Sequence, residues 1–206
     1  MPMSLLQNRD YTFILARTAN DSGIKPPGFA QRWVVAQAAV LDLAKQCEAL
    51  DPDGITVYVA QPCAETICRF QKYSQVTSAN LEQIFEENAS PQRINLCEVL
   101  QAALQDYFDR KARGATKANG EIVIVLIDGE PADRMGIARV IKEATQHMDR
   151  DEELGIGFVQ IGEDLLAKGF LTALDDNLKS VGAKFDIVST RLLDKIETES
   201  LSEFLL

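Results

Sequence analysis

Asp128 and Gly129 are the residues in this sequence best placed for chemistry. They close an unbroken apolar run, Ile122 to Ile127. That run is too short for a stable buried helix and too apolar for an edge strand, so it reads as the central strand of a parallel sheet. In an open parallel sheet the ligand crevice lies beyond the carboxyl ends of the strands. A carboxylate there, followed by a glycine that lets the chain turn, is positioned to engage a ligand, although helix caps and turn formers also use Asp in such places. Asp133 offers an N-cap for the helix that follows.

Other reactive side chains do not assemble in the sequence. Cys47, Cys63, Cys68 and Cys97 form no CxxC pair, and zinc at Cys63 and Cys68 would need two more ligands. All four are expected as reduced thiols, packed as small hydrophobes. The single histidine, His147, falls within a predicted helix as a solvated residue. There is no GxSxG elbow and no GxxxxGK[ST] loop, and Gly155 and Gly157 lie inside a strand, with Gln160 where a third glycine would be needed. The expectation is a protein without catalysis and without an identified small-molecule substrate.

Composition sets the frame for these residues. A chain of 206 residues, 46% apolar and 25% charged, has room for one well-buried domain. Its formal net charge of −10 repels phosphate backbones and anionic lipid surfaces, so neither nucleic acid nor membrane is expected as a partner. No apolar stretch approaches the ~18 residues that span a bilayer, and MPMSLLQNRDYT lacks a basic region followed by a hydrophobic run. A cytoplasmic location is expected.

The remaining elements follow from periodicity. Arg9 to Leu15 reads as the first strand, emptying into a polar loop from Arg17 to Gly28 on the same edge as Asp128. Trp33, Ala36, Val40, Leu43, Ala44 and Cys47 form the buried stripe of a helix over about 29–50. Ile55 to Gln61 and Thr66 to Tyr73 read as strands whose short connection requires antiparallel pairing, with the second at the sheet edge. A short acidic helix spans Ser78 to Asn88, and Asn95, with Glu98 three residues on, opens a longer one. Gly114 to Gly120 reads as a flexible link. After Asp128 come a helix over about 135–148, a strand from Leu154 to Ile161, a helix through Leu178 and a last strand from Phe185 to Val188. The alternation predicts an α/β fold: a doubly wound, six-stranded, mostly parallel sheet with one antiparallel edge strand and helices on both faces. One domain covers residues 1–206, with its core over about 9–189. Residues 190–206 form a C-terminal helix that docks, or a partner-binding arm ending in Phe204, Leu205 and Leu206.

Taken together, QRINLCEVLQAALQDYF, IVIVLIDGEPAD, LGIGFVQIGED and LDDNLKSVGAKFDIVST resemble the von Willebrand factor A (vWA) domain, in its intracellular bacterial branch. The resemblance covers about Arg9 to Ser189 and implies a Rossmann-like fold of the kind just described. Many members of that family hold a divalent ion through a DxSxS loop after the first strand, a Thr before a later helix and the Asp after the central strand. Here the DxSxS slots fall on Ala16, Thr18 and Asn20, the Thr slot on Ile94, and only Asp128 matches. Ala16 and Ile94 have no side-chain oxygen, so the adhesion site is degenerate. Mg²⁺ or Mn²⁺ is expected to bind weakly or not at all, with Thr18, Asn20 and Asp128 as the remaining ligands. Asp21 either supplies a second carboxylate or caps a turn.

With the metal lost, Arg17 or Arg93 is expected to pair with Asp128, or both arginines are ordinary surface residues. The resemblance implies a non-catalytic interaction module that binds another protein through its carboxyl-edge loops. The candidate contacts are Arg17, Thr18, Asn20, Asp21, Arg93, Ile94, Asp128 and Glu130. The alternatives are a binder that still needs a cation, and an enzyme centred on Asp128.

Overall fold

The computed structural model describes residues 6–19, 29–87 and 92–193, without the side chains of residues 29–32. Six strands, β1 Asp10–Ala16, β2 Ile55–Ala60, β3 Phe70–Val76, β4 Glu121–Ile127, β5 Leu154–Gln160 and β6 Val188–Leu192, form one sheet in the order β3-β2-β1-β4-β5-β6. The β2–β3 pair is antiparallel and every other pair parallel. This is the predicted α/β fold with its antiparallel edge strand.

The apolar run of β4 is explained by its position. It pairs with β1 from Asp10↔Glu121 to Ala16↔Ile127, and with β5 on its other side. Val123, Val125 and Ile127 point into one core with α3 (Leu96–Ala112), α4 (Arg134–Gln146) and α5 (Leu165–Asn177). Ile122, Ile124 and Leu126 point into a second core with α1 (Phe29–Leu50) and α2 (Ser78–Glu87). A strand buried on both faces has no side on which to place polar residues. No helix among the described residues is long and apolar enough to cross a membrane.

The caps fix where the helices begin. Asn95 accepts from the N–H groups of Cys97 and Glu98, and its side-chain amide donates to the Glu98 carboxylate at 2.9 Å, so the predicted box closes side chain to side chain. Asp133 caps α4 through the Gly136 N–H at 2.7 Å. A Cβ on Gly136 would meet that carboxylate at 2.1 Å, so only glycine lets Asp133 approach so closely.

Several sequence expectations are corrected. The third strand begins at Phe70 rather than Thr66, because residues 61–69 turn back on themselves: Gln61 donates to the Arg69 carbonyl at 2.7 Å, and Cys68 bridges to Ile94. Cys63 and Cys68, expected as thiols, are joined in a disulfide whose Cα atoms lie 5.8 Å apart; Cys47 and Cys97 are free. The last strand begins at Val188 rather than Phe185. Lys184 is drawn towards α4 by its N–H to Thr145 Oγ1 (2.9 Å) and its ammonium to the Met148 carbonyl (2.7 Å), which delays pairing with β5. His147 is the C-cap of α4 and stacks edge-on against Phe108 at 5.7 Å, not a residue within the helix.

The Gly114 to Gly120 segment is tied down. Lys117 is ion-paired to Asp51 and Asp53, and Gly120, at φ 76°, lies where a Cβ would stand 1.8 Å from the Glu153 carbonyl. Beside it, at the amino edge of the sheet, Arg110 joins Asp10 (2.6 Å), Asp106 (3.1 Å) and the buried Glu121. The amino edge is therefore closed by paired charges. The carboxyl edge carries the candidate site, and residues 190–193 complete the last strand and its end; the expected helix or arm beyond them lies outside the described residues.

Candidate partner-binding site

The site is built where β1 and β4 end side by side. Their parallel register brings Arg17, Thr18 and Ala19 alongside Asp128 and Gly129. The Asp128 carboxylate is only 5% exposed. Its Oδ1 accepts the backbone N–H of Thr18 at 2.7 Å and of Ala19 at 2.9 Å. Its Oδ2 accepts the indole N–H of Trp33 at 3.2 Å, and Arg17 Nε stands 4.0 Å away.

Thr18 is committed to the same junction. Its hydroxyl donates to the Gly129 carbonyl at 2.6 Å and accepts the Gly129 N–H at 3.2 Å. This clamp needs glycine at position 129, since a Cβ there would lie 2.7 Å from Ala19 Cα and 2.8 Å from Ala19 Cβ.

The neighbouring loop extends the edge. Arg17 bridges to Arg93 in parallel fashion, and Ile94 bridges to Cys68, whose N–H donates to the Arg93 carbonyl at 2.7 Å. The segment around Arg93 and Ile94 is thus threaded between the end of β1 and the disulfide loop, with Ile94 buried at 5% exposure. Glu130, two residues beyond Asp128, pairs with Arg134 at 2.9 Å. On the other side of β4, the buried Gln160 ends β5 opposite Ile127, its amide donating to the Asp164 carbonyl at 2.8 Å. Asn20, Asp21 and the loop residues Ile24, Pro26 and Pro27 lie outside the described residues, as does the side chain of Phe29.

Of the candidate residues, then, the structure groups Arg17, Thr18 and Asp128 closely and places Arg93 and Ile94 one strand-width away. Sequence reasoning missed Trp33 as a partner of Asp128, assigning it to the α1 core stripe alone. It serves both: it is 2% exposed, and a buried indole needs an acceptor for its one N–H. That requirement is the signal from which the contact was readable.

Among the described residues, the donor set around Asp128 is poorly suited to a divalent ion. A hard cation requires converging oxygens. Here Ala16 and Ile94 bring none, the Thr18 hydroxyl directs its proton to Gly129, and among the described residues the groups facing Asp128 are N–H donors and a guanidinium. Among the described residues no three His, Cys, Asp or Glu side chains converge as metal ligands.

The sheet order, the antiparallel edge and the helices on both faces define a vWA- or Rossmann-like α/β fold. Solved structures share it. The chain is similar to the manganese-loaded TRAP protein of Plasmodium vivax, with a TM-score of 0.51 and 12% identity over 91% of this chain and 70% of that one. It is similar to a D319A mutant of the PilB minor pilin of Streptococcus sanguinis (TM-score 0.52, 9% identity, 93% and 59% covered). It is also similar to proximal thread matrix protein 1 of the mussel byssus (TM-score 0.50, 16% identity, 93% and 44% covered). The chain therefore spans less than two thirds of the latter two. No family profile and no curated protein matches the sequence.

Proposed function

We propose that this protein is a non-catalytic protein–protein interaction module of vWA type, which presents its carboxyl-edge loops to a partner protein without using a metal ion. The observation that carries the reading is the occupation of Asp128. Two backbone N–H groups and the Trp33 indole already take its oxygens, with Arg17 close by, so the carboxylate organises the loops instead of awaiting a cation. A buried carboxylate satisfied by several N–H donors is a rigid anchor, and charge-assisted hydrogen bonds of this kind are among the stronger ones. The loops it fixes carry Arg17 and, one bridge away, Arg93 and Ile94, while Glu130 remains in solvent reach. Solved structures of like fold include a TRAP protein, a minor pilin and a thread matrix protein, and the names of these three are not those of enzymes.

The test is site-specific photo-crosslinking in the native host. A crosslinker at exposed Ala132, beside the candidate loops, is expected to capture a defined protein in chelator-treated extract as well as in untreated extract. The same group at exposed Asp109, on α3 near the amino edge, is expected not to. Capture that disappears with chelator and returns with Mg²⁺ would favour the cation-dependent reading. Equal capture from both positions would remove the edge as the binding surface.

A further inference from the structure

Among the described residues, the large exposed apolar side chains are concentrated in one place. Of the six large ones most exposed among the described residues, Met135, Leu165, Leu166 and Val181 line a single groove between α4 and α5, at 80%, 79%, 65% and 52% exposure. The groove encloses about 560 Å³. Its deepest lining residues are the buried Phe170, Leu174 and Leu178 of α5 and its end, and the small residues Ala138 from α4 and Gly169 and Ala173 from α5 line it nearer the surface, leaving a channel between the two helices. At Gly169 an added Cβ would have no neighbour within 4 Å, so the channel is open at mid-length.

The charges on this groove are the reverse of those on the chain. The protein carries 31 acidic and 21 basic residues, yet every charged residue lining the groove is basic: Arg134, Arg139 and Lys142. Arg134 is paired with Glu130, whereas neither Arg139 nor Lys142 is in an ion pair among the described residues. An apolar channel with three cations along its α4 wall, on an otherwise anionic molecule, is not a generic surface. The groove favours a ligand that is apolar on one side and acidic at its margins, while the net charge of −10 opposes the approach of two whole copies of this chain.

We infer that the α4–α5 groove is a docking site for an acidic amphipathic helix of a partner protein. α5 has 13 residues and is ~20 Å long, at about 1.5 Å per residue, which matches three to four turns of such a helix. Apolar anchors at i, i+3 or i+4 and i+7 would lie over Ala138, Gly169 and Ala173, between Met135 and Leu165 at one end and Val181 at the other. Carboxylates flanking those anchors would meet Arg139 and Lys142. This surface is distinct from the loops around Asp128, although Met135, Leu165 and Leu166 stand at the helix N-termini and so open it at the same edge of the sheet.

The test is an unbiased selection. A displayed library of 14-residue amphipathic helices, with apolar positions varied among Leu, Ile, Val, Met and Phe and flanking positions among Glu, Gln and Lys, is selected on the intact protein. Gly169→Trp, which fills the channel from a site with free space, is the counter-target, and Gly169→Ala is the control for helix integrity. Glu is expected to be enriched at the flanks. The winning peptides are expected to lose at least tenfold in affinity to Gly169→Trp and to the Arg139→Glu/Lys142→Glu variant, to keep affinity for Gly169→Ala, and to weaken with salt. Enrichment of Lys or Gln, or equal binding to Gly169→Trp, would overturn the inference. So would failure of every clone to discriminate, self-association of the wild type that Gly169→Trp abolishes, or binding to anionic vesicles without peptide selection. None of these results depends on Asp128 or its loops, so this inference and the proposed function fail separately.

Discussion

Thr18 and Gly129 hold the ends of β1 and β4 together through one hydroxyl, which gives its proton to the Gly129 carbonyl and takes the Gly129 N–H in return. Thr18 is 4% exposed, so water does not readily replace either bond. Thr18→Val keeps the shape and removes both partners, leaving a buried N–H and C=O unsatisfied, at a cost of about 1–3 kcal/mol. For a chain of this length that corresponds to a fall in Tm of roughly 2–4 °C per kcal/mol. Thr18→Ser is expected to recover most of the loss. Urea unfolding of the three proteins checks it; equal midpoints for wild type and Thr18→Val would show that the clamp contributes nothing.

The single tryptophan reports on the same junction. Asp128→Asn is nearly isosteric, and its amide oxygen can still accept from Thr18 and Ala19, but its NH₂ then faces the Trp33 indole N–H donor-to-donor. The variant is expected to lose about 1–3 kcal/mol and to shift Trp33 emission, whereas Trp33→Phe loses the bond without the repulsion. On the proposed metal-free reading, millimolar Mg²⁺ or Mn²⁺ added to chelator-stripped wild type shifts neither Tm nor emission. A saturable shift that Asp128→Ala abolishes would reverse that reading, because a ligand bound only to the native state raises stability by mass action.

At the opposite edge, acid should unlock a second cluster. The Glu153 carboxylate accepts from Lys111 Nζ (2.7 Å), the Asp149 N–H (2.8 Å) and the Tyr107 hydroxyl (3.0 Å). Burial pushes its pKa up, but these three donors outweigh burial and hold it below the ordinary glutamate value of 4.5. A depressed folded-state pKa contributes stability that is fully present above the unfolded value and lost as pH falls through the folded one. Glu121 works with the opposite sign: burial holds its pKa above 4.5 in spite of Arg110, so it gains on acidification. Glu153→Gln is therefore expected to be less stable than wild type at pH 7, with the gap closing below about pH 4.5 as Glu153 protonates. A gap that is constant from pH 7 to pH 3 would rule out this assignment.

The fold was legible where burial imposes one pattern, and obscure where tertiary contacts divert the chain. Ile122 to Ile127 announced a strand covered on both faces, and Asn95 with Glu98 announced a helix start. The third and sixth strands were misplaced because local β-propensity begins before pairing does. Cys68 is diverted to Ile94 and Lys184 to α4, contacts with no periodic signature. At the site, Asp128 was readable from its place after the central strand, and Arg17 and Thr18 from their place after the first. Trp33 was hidden because its spacing fits the core stripe equally well, and Ala19 because it contributes only a backbone N–H. The α4–α5 groove was invisible in the helical periodicity: Met135, Leu165 and Leu166 look like core residues until the neighbouring elements leave them uncovered.

The Cys63–Cys68 disulfide ties this edge to redox conditions. It closes a loop with a sequence separation of 5, and Cys68 donates its N–H to Arg93 and bridges to Ile94, so the disulfide loop supports the segment that continues the candidate surface. By chain-entropy arguments a loop this short is worth about 2 kcal/mol at most, so Cys63→Ser should lower global stability only modestly. The local effect should be larger. Faster amide exchange is expected at Cys68, in both the variant and the dithiothreitol-reduced wild type, while exchange within β4 stays unchanged. Hydrogen exchange read by NMR separates the two effects. Protection of the Cys68 amide that survives reduction would show that the Arg93 carbonyl holds the loop without the disulfide.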